Sequence, residues 1–239
     1  MQTKEITDLT FDCYGTLIDW ERGIVETVIP ILRNHGVEAI ARDILEVYRD
    51  VEALVEMAPY STYAEVLRRI MEEFGRHFGV PLALSEEHAL IDSIGNWPPF
   101  KDTVSSLRRL HQSFRLSIVS NVDDELFART QRCLGIEFDQ IITSQQVRSY
   151  KPAHGHFEEA IRRLAVPKKS ILHVAQSLYH DHVPAKEIGL RTAWIKRTSV
   201  LGRNGLAPSA EVAPDITAQS LGELTDLLMS DIFNIAARP

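Results

Sequence analysis

Asp12, Lys151 and Asp181 are the residues whose types could carry out group transfer, and hydroxyl or amide side chains accompany each of them. Asp12 is followed by Cys13, Tyr14 and, past Gly15, by Thr16. A free carboxylate can attack an electrophilic carbon and split one hard displacement into two easier ones. A lysine beside it would keep it ionised, and a second carboxylate could hold or deprotonate a water molecule. Ser120-Asn121 and Gln176-Ser177 supply further donors and acceptors. Taken singly, each signal also has a plain structural explanation. Asp12 reads equally as a strand end entering a turn, Ser-Asn is common in turns and Lys-Pro is common at surfaces. Cys13 beside Asp12 could be a nucleophile, but a small residue packed in a strand is the better reading.

The elements that must position these residues give them a common place. The apolar, β-prone run Leu9-Thr10-Phe11 stops at Asp12 and turns at Gly15. Helical spacing then takes over. Ile24, Val28 and Leu32 mark one helix that Pro30 should kink, and Asp43 can cap a second that carries Leu45, Tyr48 and Val51. Thr62-Tyr-Ala-Glu65 has the form of a capping box for a third, and Ser85 can cap a fourth that ends near Gly95. From Trp97 onward helices alternate with the strands Leu116–Asn121, Ile141–Thr143, Ile171–Ala175 and Thr192–Ile195. Such alternation predicts an α/β fold, a Rossmann-like parallel sheet with right-handed crossovers. The expected division is a core of residues 1–19 and 95–239 and a helical cap, 20–94, inserted after the first strand. Residues 198–215 read as a surface loop, and a last helix covers 221–229. In a parallel sheet the strand ends share one edge, where open α/β sheets bind ligands. Asp12, Ser120, Lys151 and Asp181 would meet there.

Bulk properties exclude several classes. A net charge of -7 over 239 residues offers no basic face for a nucleic acid. No apolar run reaches the roughly 20 residues a membrane-spanning helix needs, and residues 1–6 lack the apolar core of a signal peptide. Two cysteines, Cys13 and Cys133, make no disulfide framework, which suits a reducing cytoplasm. The pairs His154/His156 and His180/His182, with His173, could suggest a transition-metal site, but residues two apart on a helix face different ways.

The order Asp-x-Tyr-Gly-Thr-Leu, Ser-Asn, Tyr-Lys-Pro and a final Asp-bearing loop resembles the haloacid dehalogenase superfamily over essentially the whole chain. Phosphatases of that superfamily carry Asp-x-Asp in the first motif, the second Asp acting as general acid; here Tyr14 stands in its place. Their last motif, Gly-Asp-Ser-x-x-x-Asp, supplies carboxylates to Mg²⁺; here it reads Ala175-Gln176-Ser177-Leu-Tyr-His-Asp181. Asp-x-Tyr-Gly-Thr-Leu looks instead like the metal-free L-2-haloacid dehalogenase branch, which uses no cofactor.

That resemblance implies a small halocarboxylate substrate and a set of roles. Asp12 would be the nucleophile, Lys151 its partner and Asp181 the base or water orienter. Thr16, Ser120 and Asn121 would donate to the nucleophile or the substrate, the backbone N–H groups of Cys13 and Tyr14 could help hold anions in the turn, Ser177 would lie beside them, and Arg49 would reach from the cap to take the halide. A homodimer is a further family-level expectation. Two departures stand out: Phe157 replaces a family tyrosine, and the 175–181 loop differs from the branch's Ser-x-Asn-x-x-Asp. The alternatives are a Mg²⁺-dependent phosphatase with degenerate motifs and a non-catalytic binder of small anions.

Overall fold

The structure, a computed structural model, describes residues 5–56, 59–199 and 210–236. Its first strand, β1 (Asp8–Phe11), leads into α1 (Trp20–Asn34), α2 (Ala41–Glu56), α3 (Tyr63–Phe78) and the short α4 (Leu84–Glu87) and α5 (Ala89–Ser93). Strands and helices then alternate: α6 (Thr103–Leu110), β2 (Arg115–Ser120), α7 (Asp124–Leu134), β3 (Gln140–Thr143), α8 (Ser144–Val147), α9 (Gly155–Leu164) and β4 (Ile171–Ala175). The chain continues through α10 (Val183–Glu187), β5 (Arg191–Ile195), β6 (Ile216–Ala218) and α11 (Leu221–Ala236).

Six parallel strands form one sheet in the order β3-β2-β1-β4-β5-β6. The central strand β1 is buried along its whole length, as expected of a parallel strand covered on both faces. Side chains alternate between two cores, as the pleat requires. Ile118 points into the larger core with Phe11 and Phe127, and its neighbour Val119 into a second one with Phe157, Ala160 and Leu164 of α9.

Between β1 and β2 the described residues from 20 to 96 form helices only. Ile24, Val28 and Leu32 of α1, Tyr48 of α2 and Val66, Ile70 and Phe74 of α3 are all buried, and they join the larger core. The return to the sheet is tight at Trp97, whose ring leaves no room for a side chain at Gly23; a Cβ there would lie 2.3 Å from the ring. Helix α1 runs unbroken through Pro30, which sits on its exposed side. Two expected caps are displaced. Helix α2 begins at Ala41, so Asp43 lies inside its first turn. The fourth helix starts after Ala83, whose N–H bonds Glu86, so Ser85 is not the cap. Strand β6 was not expected from sequence, and residues 200–209 of the expected loop lie outside the described residues.

The helical segment is fastened to the sheet edge at the start of α3. Asp123 occupies the N-cap position of α7, yet its carboxylate accepts from the N–H groups of Tyr63 (3.0 Å) and Ala64 (2.9 Å) across the junction. Tyr150 donates from its hydroxyl to the Ser61 carbonyl at 2.8 Å beside them. A carboxylate satisfying two first-turn amides of another helix combines capping with a favourable dipole interaction. Asp123→Ala should therefore cost about 1–2 kcal/mol of stability, measured by urea denaturation, and more than Thr62→Ala, whose hydroxyl makes one exposed 3.3 Å bond to Glu65.

Candidate active site

The register of the sheet assembles the site. Phe11 pairs with Ile118 on one side and Val174 on the other. Asp12 is therefore level with Val119 and Ala175, and the polar residues Ser120 and Gln176 follow one position further along the same edge. Gly15, with φ +94°, turns the chain back sharply after Asp12. That turn brings Thr16 under the carboxylate, where its hydroxyl donates to Asp12 Oδ2 at 2.6 Å and accepts from the Gln176 N–H at 2.9 Å.

Lys151 is the hub. Its ammonium donates to Asp12 Oδ1 (2.8 Å), Asp181 Oδ1 (2.6 Å) and the Val119 carbonyl (3.0 Å), which uses all three of its N–H bonds. Asp12 is 7% exposed, Lys151 2% and Asp181 1%, so this is a buried group of three charges with a net charge of one negative. The two carboxylates hold the Lys151 pKa above its ordinary value against the opposing effect of burial. The Asp12 pKa is raised above its ordinary value: burial pushes it up, with the charge of Asp181 adding to this, and Lys151 only partly offsets them. Asp181 is held below the ordinary carboxylate range; burial opposes this, and Lys151 and His173 outweigh it.

These residues floor a cavity of about 120 Å³ between the sheet edge and the helical segment. Tyr14, Trp20, Tyr48, Glu52 and Tyr63 line its upper wall, and Ser120, Asn121, Ser177 and His180 line it at the sheet edge. Trp20 and Tyr48 pack ring against ring at 4.7 Å.

Most of the sequence-predicted residues converge here, but several depart from expectation. Arg49 does not reach the cavity: its exposed side chain pairs with Asp50 at 3.1 Å, and the α2 residues that line the wall are Tyr48 and Glu52. Asn121 lines the cavity, yet its amide clasps the backbone of Lys151, accepting from its N–H (2.7 Å) and donating to its carbonyl (3.2 Å). It holds the lysine loop. Ser177 accepts from the His180 N–H at 3.1 Å and so caps the turn that carries Asp181. The Cys13 side chain is buried in the core and does not line the cavity, and burial pushes its thiol pKa up. Ser120 differs again: its hydroxyl is buried beside the cavity and has no partner among the described residues.

Two residues were not foreseen. Arg197, two positions past β5 and hence at the same edge, donates from Nε to the Thr16 carbonyl (3.0 Å) and from Nη1 to Asp102 (2.8 Å), and stacks on Phe100. Its Nη2 has no partner among the described residues. The strand-end rule that singled out Asp12 and Ser120 would have found it. His173 lies inside β4 and contacts Asp181 from behind. No periodicity marks such a residue. The paired histidines share no site: His154 bonds Glu187, His156 approaches the Ser120 carbonyl, and His182 the Ala175 carbonyl.

A carboxylate at the first strand end, a lysine bridging it to a second carboxylate, and a helical insertion above them define a class of hydrolase. The model of the haloacid dehalogenase-like hydrolases matches residues 9–188, and the chain belongs to that family. It is 25% identical over 234 residues to an (S)-2-haloacid dehalogenase of Pseudomonas fluorescens, covering 96% of this chain and 99% of the relative. A defluorinating L-2-haloacid dehalogenase superposes with a TM-score of 0.81 at 23% identity, covering 94% of this chain and 95% of that one. The L-2-haloacid dehalogenase of Xanthobacter autotrophicus with chloropropionic acid covalently bound superposes at 0.78 and 19% identity, over 94% and 98% of the two chains. The fold is thus shared end to end, and the protein is an enzyme of the haloacid dehalogenase type.

Removing the hub tests the electrostatic reading. In Lys151→Met two buried carboxylates face each other unpaired, at a cost of about 3–5 kcal/mol at pH 7. Their mutual repulsion raises a folded-state pKa above its unfolded value, so stability is lost as pH rises through that pKa and regained as it falls. Urea denaturation of the variant should accordingly show a smaller deficit against wild type at pH 5 than at pH 7.

Proposed function

We propose that the enzyme hydrolyses the carbon–halogen bond of small 2-haloacids through an ester on Asp12, without a metal ion. The observation that carries this reading is a locked carboxylate whose neighbour at position 14 is a tyrosine held by Thr130 rather than a carboxylic acid. Each oxygen of Asp12 has one donor, Lys151 or Thr16, and lone pairs to spare for attack. The residue placed to protonate a leaving group is Tyr14. Burial pushes its phenol pKa well above the ordinary value, and its hydroxyl is engaged with Thr130 at 2.8 Å. An alkoxide leaving group needs a proton and a halide does not. The full-length relation to (S)-2-haloacid dehalogenases supports the same substrate class.

In the first step an Asp12 oxygen attacks C2, the carbon–halogen bond breaks, and its electron pair departs with the halide. Ser120 Oγ and Arg197 Nη2 are the donors left over beside the cavity for the substrate carboxylate and the departing anion. In the second step water attacks the carbonyl carbon of the ester. Asp181 takes the water's proton and returns it to the alkoxide oxygen of the 2-hydroxyacid as that leaves. Lys151 has no N–H to spare, so its part is to orient both carboxylates and keep them charged.

A Mg²⁺ ion fits this residue set poorly. Such an ion seeks an octahedral shell of oxygens, whereas Asp12 and Asp181 already share one ammonium and the next candidate ligand is the amide of Gln176. The expected result is halide release from L-2-chloropropionate in EDTA by wild type, and its loss in Asp12→Asn by about 10³-fold or more. Silence in EDTA together with p-nitrophenyl phosphate turnover on adding Mg²⁺ would replace this reading with a phosphatase.

A further inference from the structure

The buried imidazole of His173 makes a strong contact with the catalytic group that the mechanism above leaves unused. His173 is fully buried in β4, and Asp181 hangs from the turn that follows that strand. Nε2 of His173 lies 3.0 Å from Asp181 Oδ1, and Nδ1 lies 3.0 Å from the hydroxyl of Thr10 on β1. The ring of Phe157 meets it edge-on at 5.0 Å and closes the side toward α9. The ring is therefore fixed on three sides.

The chemistry of the partners fixes its hydrogens. An ionised carboxylate only accepts, so Nε2 carries the proton toward Asp181, and in the neutral ring Nδ1 accepts from Thr10. Both Lys151 and His173 donate to the same oxygen, Oδ1. Oδ2 has no hydrogen-bond partner among the described residues, and Asp181 borders the cavity. A carboxylate pinned through one oxygen by two donors cannot rotate, and its other oxygen stays turned to where water would stand.

From this geometry we infer that His173 is a positioning residue for the second half-reaction: with Lys151 it pins Oδ1 of Asp181 so that Oδ2 receives the hydrolytic water. The claim rests on the haloacid reading for its substrate. It predicts an asymmetry, because alkylation of Asp12 needs no Asp181 base, whereas ester hydrolysis does.

Two substitutions separate the two contacts of the ring. His173→Gln can place an amide N–H near Nε2 and keep the bond to Asp181. His173→Asn is shorter, can mimic only Nδ1, and loses that bond. Rapid-quench assays with L-2-chloropropionate compare the burst of halide, which counts competent sites, with steady-state 2-hydroxyacid formation. His173→Asn should give a full burst followed by hydrolysis slowed about 10-fold or more, with the ester accumulating on the Asp12 peptide as a mass increase. His173→Gln should restore turnover to within about three-fold of wild type. Equal burst-to-turnover ratios in wild type and His173→Asn would overturn the inference. A test independent of substrate and of variant folding is the ring tautomer in wild type by ¹⁵N NMR. Protonation at Nε2 is expected, and a ring protonated at Nδ1 alone would overturn the assignment. A wild type that releases no halide would count against the haloacid reading, while the tautomer would still decide the place of His173.

Discussion

A single buried ammonium between two buried carboxylates is the constraint around which the rest of this molecule is arranged. Each of the three charges would be costly to remove from water alone, and a buried pair holds only where its geometry is good and its remaining hydrogen-bonding capacity is met. Here the geometry comes from elements far apart in sequence. β1 delivers Asp12, the loop before α9 delivers Lys151, and the turn after β4 delivers Asp181. The accessory contacts fit this demand. Asn121 clasps the lysine backbone, Val119 takes the third ammonium proton, Thr16 holds the second oxygen of Asp12, and His173 shares Oδ1 of Asp181. The same arrangement that makes the charges tolerable leaves Asp12 oriented and screened from bulk water.

Chemistry on that carboxylate depends on what lies above it. The helical segment contributes an aromatic wall, and Asp123 and Tyr150 tie the start of α3 to the two loops that frame Asp12. A base of the sheet edge and a wall of the insertion thus share one set of loops, so motion of the helices and the order of the site are mechanically linked. Position 14 holds a tyrosine bonded to Thr130, where the phosphatase pattern has a carboxylic acid. Family membership defines the type of hydrolase; position 14 is what turns the reading toward halide.

Much of this was legible in the sequence because a parallel sheet makes strand ends converge. Asp12, Ser120 and Asp181 follow apolar runs, and that pattern survives into three dimensions through register alone. The failures have equally specific causes. Arg49 is the residue the resemblance offers for the halide, yet on a helix each residue turns about 100°, enough to put Tyr48 on the wall and Arg49 in solvent. The resemblance turns Asn121 toward the substrate, but an amide that both donates and accepts matches the free N–H and carbonyl of Lys151 on the next loop. Asp43 and Ser85 are residue types that often cap, but each falls inside the first turn of its helix. β6 is three residues long, too short for a period to register. His173 sits in the middle of a buried strand, where polarity gave no hint of direction until Asp181 was placed beside it.

The central claim is that Asp12 itself is alkylated to an ester, and isotope transfer tests it most directly. With enzyme in excess over L-2-chloropropionate in H₂¹⁸O, a single turnover should place the label in the Asp12 carboxylate and leave the new hydroxyl of the product unlabelled, because that oxygen came from Asp12. Label in the product hydroxyl, with none on Asp12, would mean that water attacks the carbon directly and would contradict the account.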